Sequence, residues 1–196
     1  MMKRLIATVW VACLAAGAET KAYDPLKVAD GKIVTETFQV EDVKRGRTLP
    51  IRVYLPERGR PAPVVMFSHG LGGSCDNNPY LGNHWAKRGY VVVFMQHPGS
   101  DESVWKNAPL VERMGSMKKA ASLENYLDRC GDVPVVIDAL QKWNAQDGHP
   151  LKGRMDLEHL GMSGHSFGAQ TTQAVSGQTA ARGRMSFADP RIVASV

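Results

Sequence analysis

Apolar and polar residues alternate over residues 33–41, "IVTETFQVE", and again over 49–55, "LPIRVYL", which follows the turn-prone "KRGR". A period of two belongs to half-buried strands. The two segments therefore predict an antiparallel pair at a sheet edge, where Pro50 is tolerated. From Pro63 the pattern changes. "PVVMFS" (63–68), "YVVVFMQ" (90–96), "HLGMSG" (159–164) and "RIVASV" (191–196) are short continuous apolar runs. Strands covered on both faces, as in a parallel sheet, need such runs. Helices fit between them. Asn78 and Pro79 serve as cap and first helical residue, with Gly89 just past the end. Asp132 is expected to cap a second helix whose apolar face is Val133, Val136, Ile137 and Leu140, and a third follows Ser166 and stops near Gly177. Strands alternating with helices predict an α/β domain with right-handed crossovers. Residues 100–131 are a longer excursion. Leu110, Met114, Met117 and Ala121 recur there at helical spacing, which fits either a surface helix packed on the core or a cap lining a substrate pocket.

The composition changes this picture little. The chain has 196 residues, 43% hydrophobic and 22% charged, enough for one domain with a sizeable core. Its 24 basic and 19 acidic residues are scattered, with no basic run. They read as a solvated surface and argue against nucleic-acid binding. The amino terminus is distinctive. Lys3 and Arg4 precede an apolar stretch from Leu5 to Ala16, and Ala16-Gly17-Ala18 follows. A stretch of that length is too short to span a bilayer and has the layout of an export signal. Residues 1–18 are thus expected to be a signal peptide cleaved after Ala18, giving a periplasmic or secreted protein, with the domain over 19–196. The competing reading is a buried amino-terminal helix. A lipid anchor at Cys13 is disfavoured by Trp10, and no later segment is long and apolar enough to cross a membrane. Export would leave Cys75 and Cys130 in an oxidising compartment, where a bridge between them is permitted. No Cys-x-x-Cys or His-x-x-x-His spacing occurs, so nothing points to a metal.

Candidate chemistry centres on "GMSGHSFGAQT", residues 161–171, which places Ser166 within Gly164-His165-Ser166-Phe167-Gly168. A serine on a tight strand-to-helix turn is forced into strained backbone geometry, and glycines at 164 and 168 remove side chains that would clash. The hydroxyl then projects above the sheet near a helix amino terminus, which favours developing negative charge. The alternative is a glycine-rich turn with a structural serine. A second motif, "FSHGLGGS" (67–74), also follows a strand. His69-Gly70-Leu71-Gly72-Gly73 resembles the loop that supplies the other half of an oxyanion hole, so the two donors are assigned to the N–H groups of Leu71 and Phe167. A dinucleotide fingerprint fails here, because Cys75 stands where the last glycine belongs.

These motifs, together with "WAKRGYVVVFMQHPGSDESVW", "DVPVVIDAL" and "DPRIVASV" in the same order, resemble the serine α/β-hydrolases. More closely, they are similar to the dienelactone hydrolase and platelet-activating-factor acetylhydrolase-like family, over roughly residues 47–196. True dienelactone hydrolases use cysteine where this chain has Ser166. The resemblance implies an α/β-hydrolase fold, acyl transfer through Ser166, no metal or organic cofactor, and a small-molecule ester as substrate. Amide cleavage and a non-catalytic, ligand-binding remnant are the rival readings. In this fold the chain order is nucleophile, acid, histidine, yet no histidine follows His165. Of the six histidines, His69 belongs to the oxyanion loop, His84 to the first helix, and His149 and His159 precede the elbow strand. His165 adjoins the nucleophile, and His97, at the end of a strand, has the wrong chain order. Asp156 and Asp189 read as turn residues. The sequence is therefore expected to be part of a longer hydrolase, incomplete at its carboxyl terminus, whose acid and base lie beyond Val196.

Overall fold

The structure, a computed structural model, describes residues 24–196 apart from 25, 29 and 58. The export signal expected at 1–18 lies outside the described residues. Strands β1 (Val34–Asp42), β2 (Arg47–Leu55), β3 (Ala62–Ser68), β4 (Val91–Met95), β5 (Met155–Gly164) and β8 (Ile192–Ser195) form one sheet in the order β1-β2-β4-β3-β5-β8. The amino-terminal pair is antiparallel, with Val34 opposite Leu55 and Asp42 opposite Arg47, and β2 also runs antiparallel to β4. The remaining pairings are parallel. The result is a mixed α/β domain with a mostly parallel sheet, as the alternating and continuous apolar runs anticipate. A small hairpin, β6 (Thr179–Ala180) with β7 (Met185–Ser186), has no counterpart in the sequence reading.

The helices are α1 (Pro79–Lys87), the single turn α2 (Ser103–Lys106), α3 (Leu110–Ala120), α4 (Leu123–Ala145) and α5 (Phe167–Val175). Side chains of the strands alternate between two cores. Val64, Met66, Val93 and Ile51 join Val133, Val136, Ile137 and Leu140 of α4 and Val175 of α5. Phe67, Phe94, Val92 and Tyr54 join Ala86 of α1, with Leu81 and Trp85 packed alongside. Each fully buried aliphatic side chain contributes about 1.5–3 kcal/mol, so the sheet is held from both sides.

Several expectations need correction. Asp132 does not cap a helix. Ser122 does, its Oγ accepting a hydrogen bond from Asn125 N at 3.1 Å, and α4 runs 23 residues with Asp132 in its middle. Pro134 interrupts the ladder without ending the helix, because the residues on both sides of it, Val133 and Val136, are buried in the core. Pro50 lies in the second strand rather than the edge strand. It sits just outside the stretch Ile51–Tyr54 that pairs with β4, so its missing N–H costs no ladder bond there. Asp156 lies inside β5 and binds His159. Asp189 remains a turn residue, paired with Arg191. The cysteines are free and buried. Cys75 packs in the α1-side core, whereas Cys130 belongs to α4 on the other face, so the permitted bridge is not formed. Burial pushes both thiols up to about 11.

Candidate active site

A parallel register places the carboxyl ends of three strands side by side. Ser68 is level with Met95 of β4 and with Gly164 of β5. The next residues of each strand, His69–Leu71, Gln96–His97 and His165–Ser166, therefore meet at one edge of the sheet, where α/β proteins collect functional loops.

Ser166 occupies the turn between β5 and α5 with φ 54° and ψ −115°. This left-handed region costs a non-glycine residue on the order of 1–3 kcal/mol and persists only where the surroundings impose it. They do so here through close backbone packing. A Cβ on Gly168 would overlap the Ser68 carbonyl and lie 2.8 Å from His69 O, and one on Gly164 would lie 2.8 Å from Thr172 Oγ1. The Ser166 side chain is exposed, and among the described residues its Oγ has no hydrogen-bond partner. Ser166 O accepts from Ala169 N at 2.9 Å, so the first turn of α5 begins at the serine itself.

The loop after β3 faces this turn. Gly70 packs against the elbow closely enough that an added Cβ would sit 3.5 Å from Ser166 Cβ and 3.0 Å from His165 Nδ1. Gly70 O accepts from His69 Nδ1 at 2.6 Å and from Gly73 N at 3.1 Å. Because a trans peptide points its C=O and N–H in opposite directions, tying Gly70 O inward turns the Leu71 N–H outward. Neither Leu71 N–H nor Phe167 N–H donates to any described residue. Both N–H groups assigned from the sequence are thus without a partner among the described residues, as a group that is to receive a substrate oxygen has to be. Gly72, with φ 73°, anchors the loop from outside: its N–H donates to Ser100 O at 2.9 Å and its carbonyl accepts from Trp105 Nε1 at 2.7 Å.

The excursion rests on that loop. Met117 of α3 lies over Gly72. Leu110 and Met114 are each 79% exposed and only Ala120 of α3 is buried, so the reading of α3 as a helix packed by its apolar face on the core is not what forms. Beside the elbow, Tyr126 stacks on Phe167 with ring centroids 6.5 Å apart and meets Phe187 edge-on at 6.3 Å.

No histidine side chain is hydrogen-bonded to Ser166. His97 is fully buried, its Nε2 2.9 Å from Ser68 Oγ and its Nδ1 2.9 Å from Asp132 Oδ2. Burial, ahead of the opposing Asp132 hydrogen bond, depresses its pKa and keeps it neutral. It therefore donates from Nδ1 to Asp132 and accepts from Ser68. This serine–histidine–aspartate chain copies the connectivity of a catalytic triad but is closed to substrate, because Ser68 is completely buried. His69 uses both nitrogens, donating to Gly70 O and accepting from His97 N at 3.1 Å. Burial lowers its pKa to about 3. His149 stacks on Trp143 with centroids 5.0 Å apart. His84 and His159 line a cavity of about 620 Å3 on the α1 side of β3, β5 and β8 that does not include Ser166.

The α4 side of the sheet holds a buried polar network that sequence reasoning missed. Asp132 Oδ1 accepts from Arg45 Nη2 at 2.7 Å and from Arg47 Nε at 3.1 Å, and Oδ2 accepts from Arg47 Nη2 at 3.1 Å as well as from His97. Burial would raise its pKa, but these donors hold the carboxyl below its usual range. Arg129 of α4 is also fully buried. No spacing in "LDRCGDV" marks either residue, because their partners are about 30 to 90 positions away in the chain. Among the described residues no group of histidine, cysteine or carboxylate side chains could hold a metal.

No family model matches the chain, and no curated protein matches it. Among solved structures it is similar to a protein from Klebsiella pneumoniae subsp. pneumoniae assigned as a dienelactone hydrolase, at TM-score 0.51 and 15% identity, covering 70% of this chain and 51% of that one. It is also similar to a ferulic acid esterase from Streptomyces cinnamoneus, at TM-score 0.46 and 16% identity, covering 78% of this chain and 56% of that one. The chain thus spans about half the length of each. The first likeness identifies the fold as that of the α/β-hydrolases.

Proposed function

We propose that this chain carries the nucleophile and oxyanion hole of an exported serine ester hydrolase related to the dienelactone hydrolase and platelet-activating-factor acetylhydrolase-like group. One observation carries the reading: an exposed serine held at φ 54° beside two backbone N–H groups, of Leu71 and Phe167, that no described residue uses. In the reaction Ser166 Oγ attacks the carbonyl carbon of a small ester while its proton passes to a base. The carbonyl oxygen becomes an oxyanion between the two N–H groups, aided by the amino terminus of α5. Collapse expels the alcohol, which takes the proton from the base, and leaves an acyl group on Ser166. Water, deprotonated by the same base, then releases the acid. His69 and His97 have both nitrogens engaged, and no histidine is bonded to Ser166. The reading therefore requires a base and an acid other than the groups that surround Ser166 among the described residues.

The test is labelling with a fluorophosphonate probe, using protein that contains every residue its gene encodes. Labelling at Ser166, lost in Ser166→Ala together with hydrolysis of p-nitrophenyl acetate, is the expected result. The absence of a base in contact with Ser166 favours the second reading, a non-catalytic protein with a hydrolase-like fold. An unlabelled Ser166 in that complete protein would establish it.

A further inference from the structure

Arg129 has a surrounding that core packing alone does not require. It is 0% exposed, and among the described residues no carboxylate lies within ion-pair reach of it. Its hydrogen bonds go instead to neutral acceptors on two loops. Nη1 donates to His69 O at 2.7 Å and reaches Ser68 Oγ at 3.4 Å. Nε donates to Ser100 Oγ at 2.7 Å, and Nη2 reaches Ser100 O at 3.3 Å and Gly70 O at 3.5 Å. The guanidinium carbon Cζ lies over the Phe167 ring, 4.5 Å from its centroid. Burial lowers its pKa only to about 10, so it stays charged at neutral pH.

Those contacts are distributed in a telling way. Gly70 O belongs to the same peptide unit as Leu71 N–H, and His69 O to the unit before it. Ser100 O is the acceptor of Gly72 N. Phe167 carries the second donor. Arg129 stands on α4, outside both the β3 loop and the elbow, and touches both. A planar five-donor fork suits this role, since it can satisfy several carbonyls in one plane while its face stacks on an aromatic ring. A lysine offers three donors at a point and no face.

We infer that Arg129 is the positioning residue of the oxyanion hole, clamping the His69–Gly70 carbonyls and the Phe167 ring so that the Leu71 and Phe167 N–H groups converge on one substrate oxygen. The inference rests on the hydrolase reading for its catalytic consequence, while its geometric part stands independently. Misplacing such donors by about 1 Å costs on the order of a hundredfold, comparable to losing one donor outright.

The experiment compares wild type, Arg129→Lys and Ser100→Ala, the last removing the Nε acceptor together with the hydroxyl's own bond to His97 O at 3.3 Å. Turnover of p-nitrophenyl acetate is measured with amide hydrogen exchange at Gly72, Gly73 and, as a distant reference, α1. The expected result for Arg129→Lys is a kcat lower by about 10–100-fold with KM changed less than about twofold, and faster exchange at Gly72 and Gly73 with α1 unaltered. Ser100→Ala should move the same quantities in the same direction by less. A folded Arg129→Lys with wild-type kcat overturns the inference. If Arg129→Lys does not fold, an unchanged kcat and unchanged Gly72 exchange in Ser100→Ala overturn it. If wild type shows no Ser166-dependent turnover, the hydrolase reading fails, and the exchange at Gly72 and Gly73 alone decides the positioning role: unchanged rates reject it, faster rates support it.

Discussion

Replacing Asp132 by asparagine tests whether the polar network beneath the active edge stabilises the fold. The carboxylate accepts four hydrogen bonds, two per oxygen, from Arg45, Arg47 and His97, and it is buried. Asparagine keeps the shape but turns one oxygen into an NH2 donor. Two of the four bonds then become donor facing donor, whichever way the amide is flipped. Charge-assisted hydrogen bonds contribute about 1.5–3 kcal/mol each, so the loss is about 3–6 kcal/mol, in line with the roughly 3–5 kcal/mol for breaking a buried ion pair. For a domain of this size each kcal/mol is about 2–4 °C, so the melting temperature should fall by about 6–24 °C. Urea unfolding and thermal melts followed by circular dichroism measure it, with Asp128→Asn as reference. Asp128 also binds Arg47, but it is 33% exposed and should cost less than about 1 kcal/mol. The folded pKa of Asp132 lies below its unfolded value, so its contribution is complete above the unfolded pKa, about 4, and is lost as pH falls through the folded pKa. The gap between wild type and Asp132→Asn should be constant from pH 7 to 5 and close in stronger acid. A difference under 1 kcal/mol at pH 7 would refute the reasoning.

Two further outcomes follow from the same geometry. Gly168→Ala forces a Cβ into the Ser68 carbonyl; overpacking costs about 1–3 kcal/mol and drives the elbow away from the oxyanion loop, so a lower melting temperature should accompany lost labelling of Ser166, and a melt identical to wild type would contradict it. The pKa values of His69 and His97 are depressed by burial, so below about pH 6.5 the unfolded chain binds protons that the folded one does not. Stability is then full above that pH and falls in acid by up to about 1.4 kcal/mol per pH unit for each histidine; urea titrations at pH 7 and 5.5 that gave equal stability would argue against both being held neutral.

The sheet and the elbow could be read from the chain because both depend on short-range constraints. Continuous apolar runs such as "YVVVFMQ" suit burial on two faces wherever they are placed, and Gly164 and Gly168 around Ser166 are demanded by a turn only a few residues long. The assignment of Leu71 and Phe167 as donors came instead from the likeness of His69-Gly70-Leu71-Gly72-Gly73 to an oxyanion loop. The role of Asp132 was misread for the opposite reason. Locally, an aspartate before Val133 looks like a cap, and only the approach of Arg45, Arg47 and His97 from β1–β2 and β4 makes it the centre of a buried ion cluster. His97 likewise sits at a strand end in any reading of the sequence, but its burial against Ser68 and Asp132 is set by the β3–β4 register. The exposure of Leu110 and Met114 was decided by the docking of α3 on Gly72 through Met117, a contact that helical periodicity does not encode. Arg129 is the limiting case. Nothing near it in sequence distinguishes it from a surface arginine. Its burial has meaning only because α4 passes beneath the His69–Gly70 loop and the Phe167 ring, which are brought together by strands that are far apart in the chain.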